Sequence, residues 1–262
     1  MLAIFSASIC FTACSTDRDD SAEPIEEKWL LTKITTTYYD NPDHPEVSVN
    51  SLEYNSKGQL IGGSSAAQSS VFEYDSSGKP VKTIYYNSDK SYAYTDNYVY
   101  ESEKLTTINS VYDNPNYNRK VTYTYNASGQ VIGVKSCEQP DCSSPITHTY
   151  TYSNQNIVSE TTVWDSTFSI NTKKEYTYDD KNNPYSSLNS YLRTLMGGAM
   201  SLSENNYKTE KISYKDASAN WIENQNITYT LQYNYDNLPV LVTGKDQNGQ
   251  LYAEYRYEYR MK

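Results

Sequence analysis

Histidine and cysteine are scarce in this chain, with two and four copies among 262 residues, and no nucleophile motif stands near either His44 or His148. That leaves a Ser-His-Asp or Cys-His catalytic site without support. No glycine-rich loop suited to cradling phosphate appears. Basic residues are in deficit, 22 Lys plus Arg against 32 Asp plus Glu, and the net charge of −10 repels phosphate backbones, so nucleic acid is excluded as a partner. Phenylalanine and tryptophan are rare as well, at four and three. Tyrosine takes their place, with 29 copies. Each buried phenol needs a hydrogen-bond partner, which predicts a thin, wet or partly open core instead of a thick aliphatic one.

The only long apolar run is MLAIFSASICFTAC at residues 1–14, too short to span a bilayer and of the length of a signal-peptide core. Its end, Phe11-Thr12-Ala13-Cys14, resembles a bacterial lipobox, with Phe11 where Leu is usual. The resemblance implies lipidation of Cys14 and export. No Lys or Arg precedes the run, which leaves open a start upstream of Met1. Residues 15–27 are polar and acidic and read as a disordered tether. Residues 28–262 form the remaining domain.

That domain is repetitive. YNSKGQL (54–60), YDSSGKP (74–80), YESEKL (100–105), YNASGQV (125–131), YSNQNI (152–157), YDDKNNP (178–184) and YDNLPV (235–240) share one frame. The leading tyrosines at 54, 74, 100, 125, 152 and 178 recur every 20 to 27 residues, room for two strands and their turns. Aromatics two apart precede the turn, as in Tyr98 and Tyr100, Tyr123 and Tyr125, Tyr150 and Tyr152, and Tyr176 and Tyr178. Residues two apart share a strand face, so each copy adds a pair to one aromatic stripe. Asp or Asn opens the turn and Gly closes it, the preference of a type I turn followed by a left-handed residue. One repeat is one hairpin.

YDSSGK, YNASGQ and YDDKNN resemble the core of the YD repeat of the Rhs family, with Lys or Gln where that family favours Arg. The phrase YTYDDKNNPYSSL at 176–188 is similar to short YD-repeat lipoproteins of the Bacteroidetes kind. The resemblance implies a β-sheet spiral and no particular activity. The expected fold is all-β: antiparallel hairpin repeats stacked into a twisted or rolled sheet. From Pro184 to about Asn205 the frame is lost, and Leu188, Tyr191, Leu192 and Leu195 at helical spacing, stopped by Gly197-Gly198, predict a short helical insertion near 186–198. It reads as a cap over an open sheet end or as a moving lid.

Cys137 and Cys142 bracket CEQPDC and, in an exported chain, predict a disulfide stapling a hairpin loop. Glu138 and Asp141 would be the only further ligands for a metal there, and no metal or other cofactor is expected. Asp179-Asp180 with Asn182 and Asn183 lack the spacing of a calcium loop. Two carboxylates facing one another in a cleft would be needed to suggest a glycosidase. The sequence points instead to a non-catalytic protein held on the outer membrane, periplasmic or surface-exposed, by its lipid anchor. There it binds a glycan or an envelope protein or serves a purely structural role. Tyr98, Tyr100, Tyr123, Tyr125, Tyr150, Tyr152, Tyr176 and Tyr178 are the candidate ligand-facing aromatics. Packing of the stripe within the fold is the plainer reading of the same residues.

Overall fold

The computed structural model describes residues 28–165 and 171–262. The expected signal segment with Cys14 and the acidic tether lie outside the described residues. Sixteen strands follow one another: β1 (Trp29–Tyr38), β2 (Glu46–Tyr54), β3 (Leu60–Ser64), β4 (Gln68–Tyr74), β5 (Pro80–Asn87), β6 (Tyr92–Glu101), β7 (Lys104–Val111) and β8 (Arg119–Tyr125) make the first half. The second half is β9 (Val131–Cys137), β10 (Ile146–Ser153), β11 (Asn156–Trp164), β12 (Asn171–Asn182), β13 (Asn205–Lys215), β14 (Trp221–Tyr233), β15 (Pro239–Lys245) and β16 (Leu251–Met261). Two short helices, α1 (Ser190–Met196) and α2 (Gly198–Leu202), stand between β12 and β13. Every strand pairs antiparallel with its sequence neighbours, and β16 returns to β1 through pairs such as Ile34 with Tyr257. The result is a closed up-and-down barrel.

Closure corrects the stacked or rolled sheet expected from the repeat. The repeat specifies hairpins locally, but which number of hairpins closes a sheet depends on strand tilt and stagger, quantities that no local pattern carries. The β1–β16 contact joins residues more than 200 positions apart, among them Lys33 and Glu258 at 2.9 Å. Closure removes both edges, so the sheet has none to protect.

The repeat has a definite physical role in this barrel. Asn55 Oδ1 accepts from the backbone N–H groups of Lys57 and Gln59, and Asp75 Oδ1 does the same for Ser77 and Lys79. The chain then turns through a left-handed residue such as Gly129, at φ 82°. A one-residue register shift follows at Tyr54, Tyr74, Tyr100, Tyr125, Tyr152 and Tyr233, always at the leading or equivalent tyrosine. The shift swings the phenol across the sheet onto the hairpin before it. Tyr54 donates to Leu31 O (2.7 Å), Tyr100 to Pro80 O (2.6 Å), Tyr125 to Leu105 O (2.7 Å), Tyr178 to Ile157 O (2.5 Å) and Tyr259 to Pro239 O (2.8 Å), while Tyr74 donates to Leu60 O. The accepting residues are themselves buried. A belt of six tyrosines therefore ties hairpins to those before them, inside the wall at one end of the barrel, while Tyr233 donates to Asp179 instead.

The insertion fills that end. Leu188 and Leu192 pack on Leu60 with Leu52, Tyr54 and Phe72 around them, and Ala199 and Leu202 pack on the opposite wall near Val131, Tyr150, Ile157 and Tyr176. Tyr185 and Met200 join a third cluster built on Leu31, Ile227, Tyr229 and Tyr257. Apolar contacts to all sides make this segment an interior plug. It is braced by its own polar groups: Arg193 donates through Nε to Ser201 O (2.7 Å) and through Nη2 to Ser203 O (2.6 Å), and Asn183 Nδ2 donates to Met200 O (2.8 Å). Asn189 caps α1 by accepting from Leu192 N–H at 2.9 Å. Gly197 ends α1, as the sequence indicates, but Gly198 begins α2 instead of extending the stop.

Candidate functional site

Alternation along each strand sends one set of side chains into the barrel and the other to its outside. On β6 the inward set is Tyr94, Asp96, Tyr98 and Tyr100, on β10 His148, Tyr150 and Tyr152, and on β12 Lys174, Tyr176 and Tyr178. All eight candidate tyrosines thus face inward. They divide by height. Tyr100, Tyr125 and Tyr178 have their hydroxyls committed to the belt, and Tyr152 lines a space shared with Arg193 of the plug. Tyr98, Tyr123, Tyr150 and Tyr176 stand two residues farther along their strands, with Tyr150 and Tyr176 still packed on Ala199 of the plug, and Tyr98 shares a hydrogen bond with Thr83 at 2.6 Å. None of the eight forms an outward platform.

Beyond the belt the interior becomes an open lumen. One cavity of about 460 Å³ lies between the wall strands β6–β11 and the end of α1; Asp96, Ser110, Tyr123, His148, Tyr150 and Glu160 line it. A second, of about 270 Å³, lies against β2–β6, lined by serines, Asn50, Phe72, Tyr85 and Tyr98. Leu195 and Met196 border both, so the last turn of α1 is the floor they share. Met196 is 40% exposed at the last turn of a helix that is buried one turn earlier, at Leu192.

The lumen wall carries charge. Glu210 on β13 is buried and compensated: Lys174 Nζ lies 2.8 Å away and the Tyr229 hydroxyl donates to it at 2.8 Å. Burial pulls the Lys174 ammonium down, but the Glu210 charge and hydrogen bond outweigh this and its pKa is raised overall. Asp96 on β6 has no such partner. It accepts from Ser110, and no Lys, Arg or His nitrogen approaches it within ion-pair distance among the described residues. Burial pushes its carboxyl above the usual range. Glu160 on β11 has His148, with Nδ1 at 3.3 Å, the Tyr176 hydroxyl at 3.4 Å, and Lys174 opposite it in register on β12. At the rim beside Asp96, Tyr85, Tyr94 and Tyr112 stack face to face at 4.4 and 4.7 Å, with the Arg119 guanidinium over Tyr112.

Asp96, Glu160, Lys174 and Glu210 escape a reading by motif, since each is a lone charged residue in its strand. The available signal is positional: Asp96, His148 and Lys174 each stand two residues before an inward aromatic pair and so share its face. Asp96 and Glu160 sit five strands apart and line the same cavity.

The remaining sequence candidates are placed away from the lumen. Cys137 and Cys142 form a disulfide at the β9–β10 connection, while Glu138 of that loop pairs with Arg119 at 3.1 Å. Asp179 is occupied by Tyr233, Asn206 and Lys181 N–H, and Asn183 by the plug. No group of three or more His, Cys, Asp or Glu suited to a metal occurs among the described residues. His44 is exposed in the β1–β2 loop.

The outer face is polar. Lys33 with Glu258 (2.9 Å), Lys82 with Glu73 (2.9 Å), Lys211 with Glu223 (2.7 Å) and Arg256 with Glu254 (2.7 Å) form ion pairs across or along outward strand positions. Thr107, Thr122, Lys135 and Thr147 run as an outward row across four adjacent strands. Exposed apolar residues such as Val47, Val71, Val99 and Val111 lie among these polar groups on β2–β7, with Val163 and Trp164 on β11, Ile222 on β14 and Leu251 and Met261 on β16.

No protein-family model and no curated protein matches the chain. Among solved structures it is similar to a porin-like protein from Bacteroides uniformis, at 16% identity and a TM-score of 0.53, over 88% of this chain and 96% of that one. A porin-like protein from Bacteroides vulgatus aligns at 12% identity and a TM-score of 0.47, over 88% and 98%. A TcdB2-TccC3-Cdc42 structure aligns at 14% identity and a TM-score of 0.32, over 79% of this chain and 13% of that one. The first of these similarities supports the closed β-barrel as the fold of the chain.

Proposed function

We propose that this protein is a tethered, water-facing barrel of the bacterial envelope that binds a glycan in its lumen, without catalysis. The observation that carries this reading is the polarity of the wall. A transmembrane barrel turns an apolar band about 25 Å tall to lipid, flanked by aromatic girdles, and keeps its polar residues inside. Here the outward positions carry ion pairs and threonines. Most tyrosines of the repeat are gathered inside, while Tyr92, Trp164 and Tyr214 are exposed. A plug that packs on the wall at one end also leaves a cup instead of a channel.

The tether gives the cup a direction. Lys28, where the described domain begins, lies at the plugged end, its carbonyl accepting from Lys262 N–H at 3.1 Å. With Cys14 lipidated, the plugged end faces the membrane and the lumen opens away from it. Tyrosines at the rim offer faces for sugar rings, and the lumen hydroxyls and carboxylates offer partners for sugar hydroxyls. A screen of the chain carrying Cys14→Ser against a polysaccharide and glycan array tests this reading. Binding that Met196→Trp and Tyr123→Ala in the lumen remove, and that the outward change Thr122→Ala does not, is the expected result. Silence across the array contradicts the glycan reading.

A further inference from the structure

The belt of tyrosines has a missing link, and a cavity lies beside it. Among the leading tyrosines of the repeat, Tyr54, Tyr74, Tyr100, Tyr125 and Tyr178 each donate to a carbonyl of an earlier strand. The acceptors Leu60, Pro80, Leu105 and Ile157 stand at the start of the strand after the preceding turn, and Val131 of β9 is the matching residue for Tyr152. Tyr152 makes no such bond, and its half-buried hydroxyl has no partner among the described residues. It borders a cavity of about 250 Å³ at the plugged end, between α1 and the β8–β9 and β10–β11 turns, which Ser128, Gln155, Ser190, Arg193 and Thr194 also line. None of the lining residues is a carboxylate. Arg193 brings a positive charge. Of the five guanidinium N–H groups two are taken, by Ser201 O and Ser203 O. No carboxylate lies within ion-pair distance of Arg193 among the described residues. Burial pulls its pKa down, the sign of a cation short of countercharge, while the exposed Glu204 acts more weakly in the opposite direction.

We propose that this cavity binds a phosphate group, free or carried on a lipid headgroup, with Arg193 supplying the charge and the Tyr152 hydroxyl a directed donor. Arg takes up phosphate through parallel N–H groups, and a phosphate has more acceptor oxygens than a carboxylate for the hydroxyls of Ser128, Ser190 and Thr194 around it. Ser128, Gln155 and Ser190 are exposed and form the mouth. The net charge of −10 opposes an extended polyanion, whereas a single phosphate inside the cavity is governed by the cation in contact with it. Lys28, from which the chain leads back towards Cys14, lies at the same end of the barrel. The proposal stands apart from the glycan reading, since neither Asp96 nor Tyr123 lines this cavity.

The test is calorimetric titration of the chain carrying Cys14→Ser with inorganic phosphate and with acetate at fixed ionic strength, together with flotation on phosphatidylglycerol vesicles. Tyr152→Phe removes only the hydroxyl, and Ser128→Glu sets a carboxylate at the mouth. Ser56→Glu adds the same charge at the exposed β2–β3 turn and serves as the control. Arg193 is left in place, because it also braces the plug. The expected result is phosphate binding about tenfold tighter than acetate binding, weakened about tenfold by Tyr152→Phe and by Ser128→Glu and unchanged by Ser56→Glu. Phosphate binding without vesicle binding assigns the site to free phosphate or its soluble esters. Vesicle binding that the same two variants lose and Ser56→Glu keeps assigns it to the lipid headgroup. Equal binding of acetate and phosphate overturns the proposal, as does an equal loss in Ser56→Glu, and so does binding of neither phosphate nor vesicles. Circular dichroism establishes that the variants are folded. Should Tyr152→Phe not be, Ser128→Glu on its exposed turn decides alone, and undiminished binding there would overturn the proposal.

Discussion

The two ends of this barrel are built from the same strands and obey opposite rules. At the plugged end, tyrosine hydroxyls bond to carbonyls, Arg193 and Asn183 bond to the backbone of the plug, and Leu60, Ile157 and Leu31 are sealed from water. At the open end, the Asp96 carboxylate has no paired cation among the described residues, aromatic rings form the rim, and Met196 is exposed one turn beyond the buried Leu192. Most of the stability resides at one end and the unpaired carboxylate at the other. A fold that needed its lumen only for packing would have no use for the second arrangement.

The sharpest way to break this contrast is within α1. Leu192→Ala empties a buried site and is expected to cost about 3 kcal/mol in denaturant unfolding. Met196→Ala, one turn on and facing the lumen, is expected to cost less than about 1 kcal/mol. Comparable losses at both positions would mean that the lumen is as well packed as the plug.

The lumen carboxylates sharpen the contrast. Lys174→Met strands the buried Glu210 and is expected to destabilise by about 2 kcal/mol, a value kept low because the lysine is itself partly exposed. Asp96→Asn is expected to leave stability unchanged or raised at neutral pH. The sign follows from the upward pKa displacement caused by burial: a carboxyl whose folded pKa lies above its unfolded value favours folding while protonated and loses that contribution as pH rises through the folded value. Thermal melts of the two variants should move in opposite directions.

The belt gives the smallest single effects and a collective one. Tyr100→Phe removes one hydroxyl from Pro80 O and is expected to cost about 1 kcal/mol, whereas Tyr235→Phe, at a fully exposed turn, should cost nothing measurable. Burial pushes the hydroxyls of Tyr74 and Tyr125 up to about 12. Their contribution is complete below the unfolded value of 10.0 and disappears as pH rises towards about 12. Tyrosine ionisation followed by ultraviolet absorbance should therefore coincide with loss of β-structure in that window.

Much of this molecule is legible in its sequence, and the limit has a physical basis. Asn126-x-x-Gly129 specifies its own turn through the Asn side chain, and Tyr123 with Tyr125 specifies a shared face, because both effects act within a few residues. Closure, the inward sense of the tyrosine face and the plug's position inside the barrel are set by contacts such as Ile34 with Tyr257 and Leu192 with Leu60, which no short window contains. The candidate tyrosines were found by their number. Asp96 is not marked in this way, since what sets it apart is the absence of a paired cation in three dimensions.

The central claim is that the wall faces water on both sides. Detergent phase partitioning of the chain carrying Cys14→Ser, which has no site for an acyl chain at that position, tests it most directly. The account predicts recovery in the aqueous phase as a folded monodisperse barrel without detergent; recovery in the detergent phase, or folding only in its presence, would contradict it.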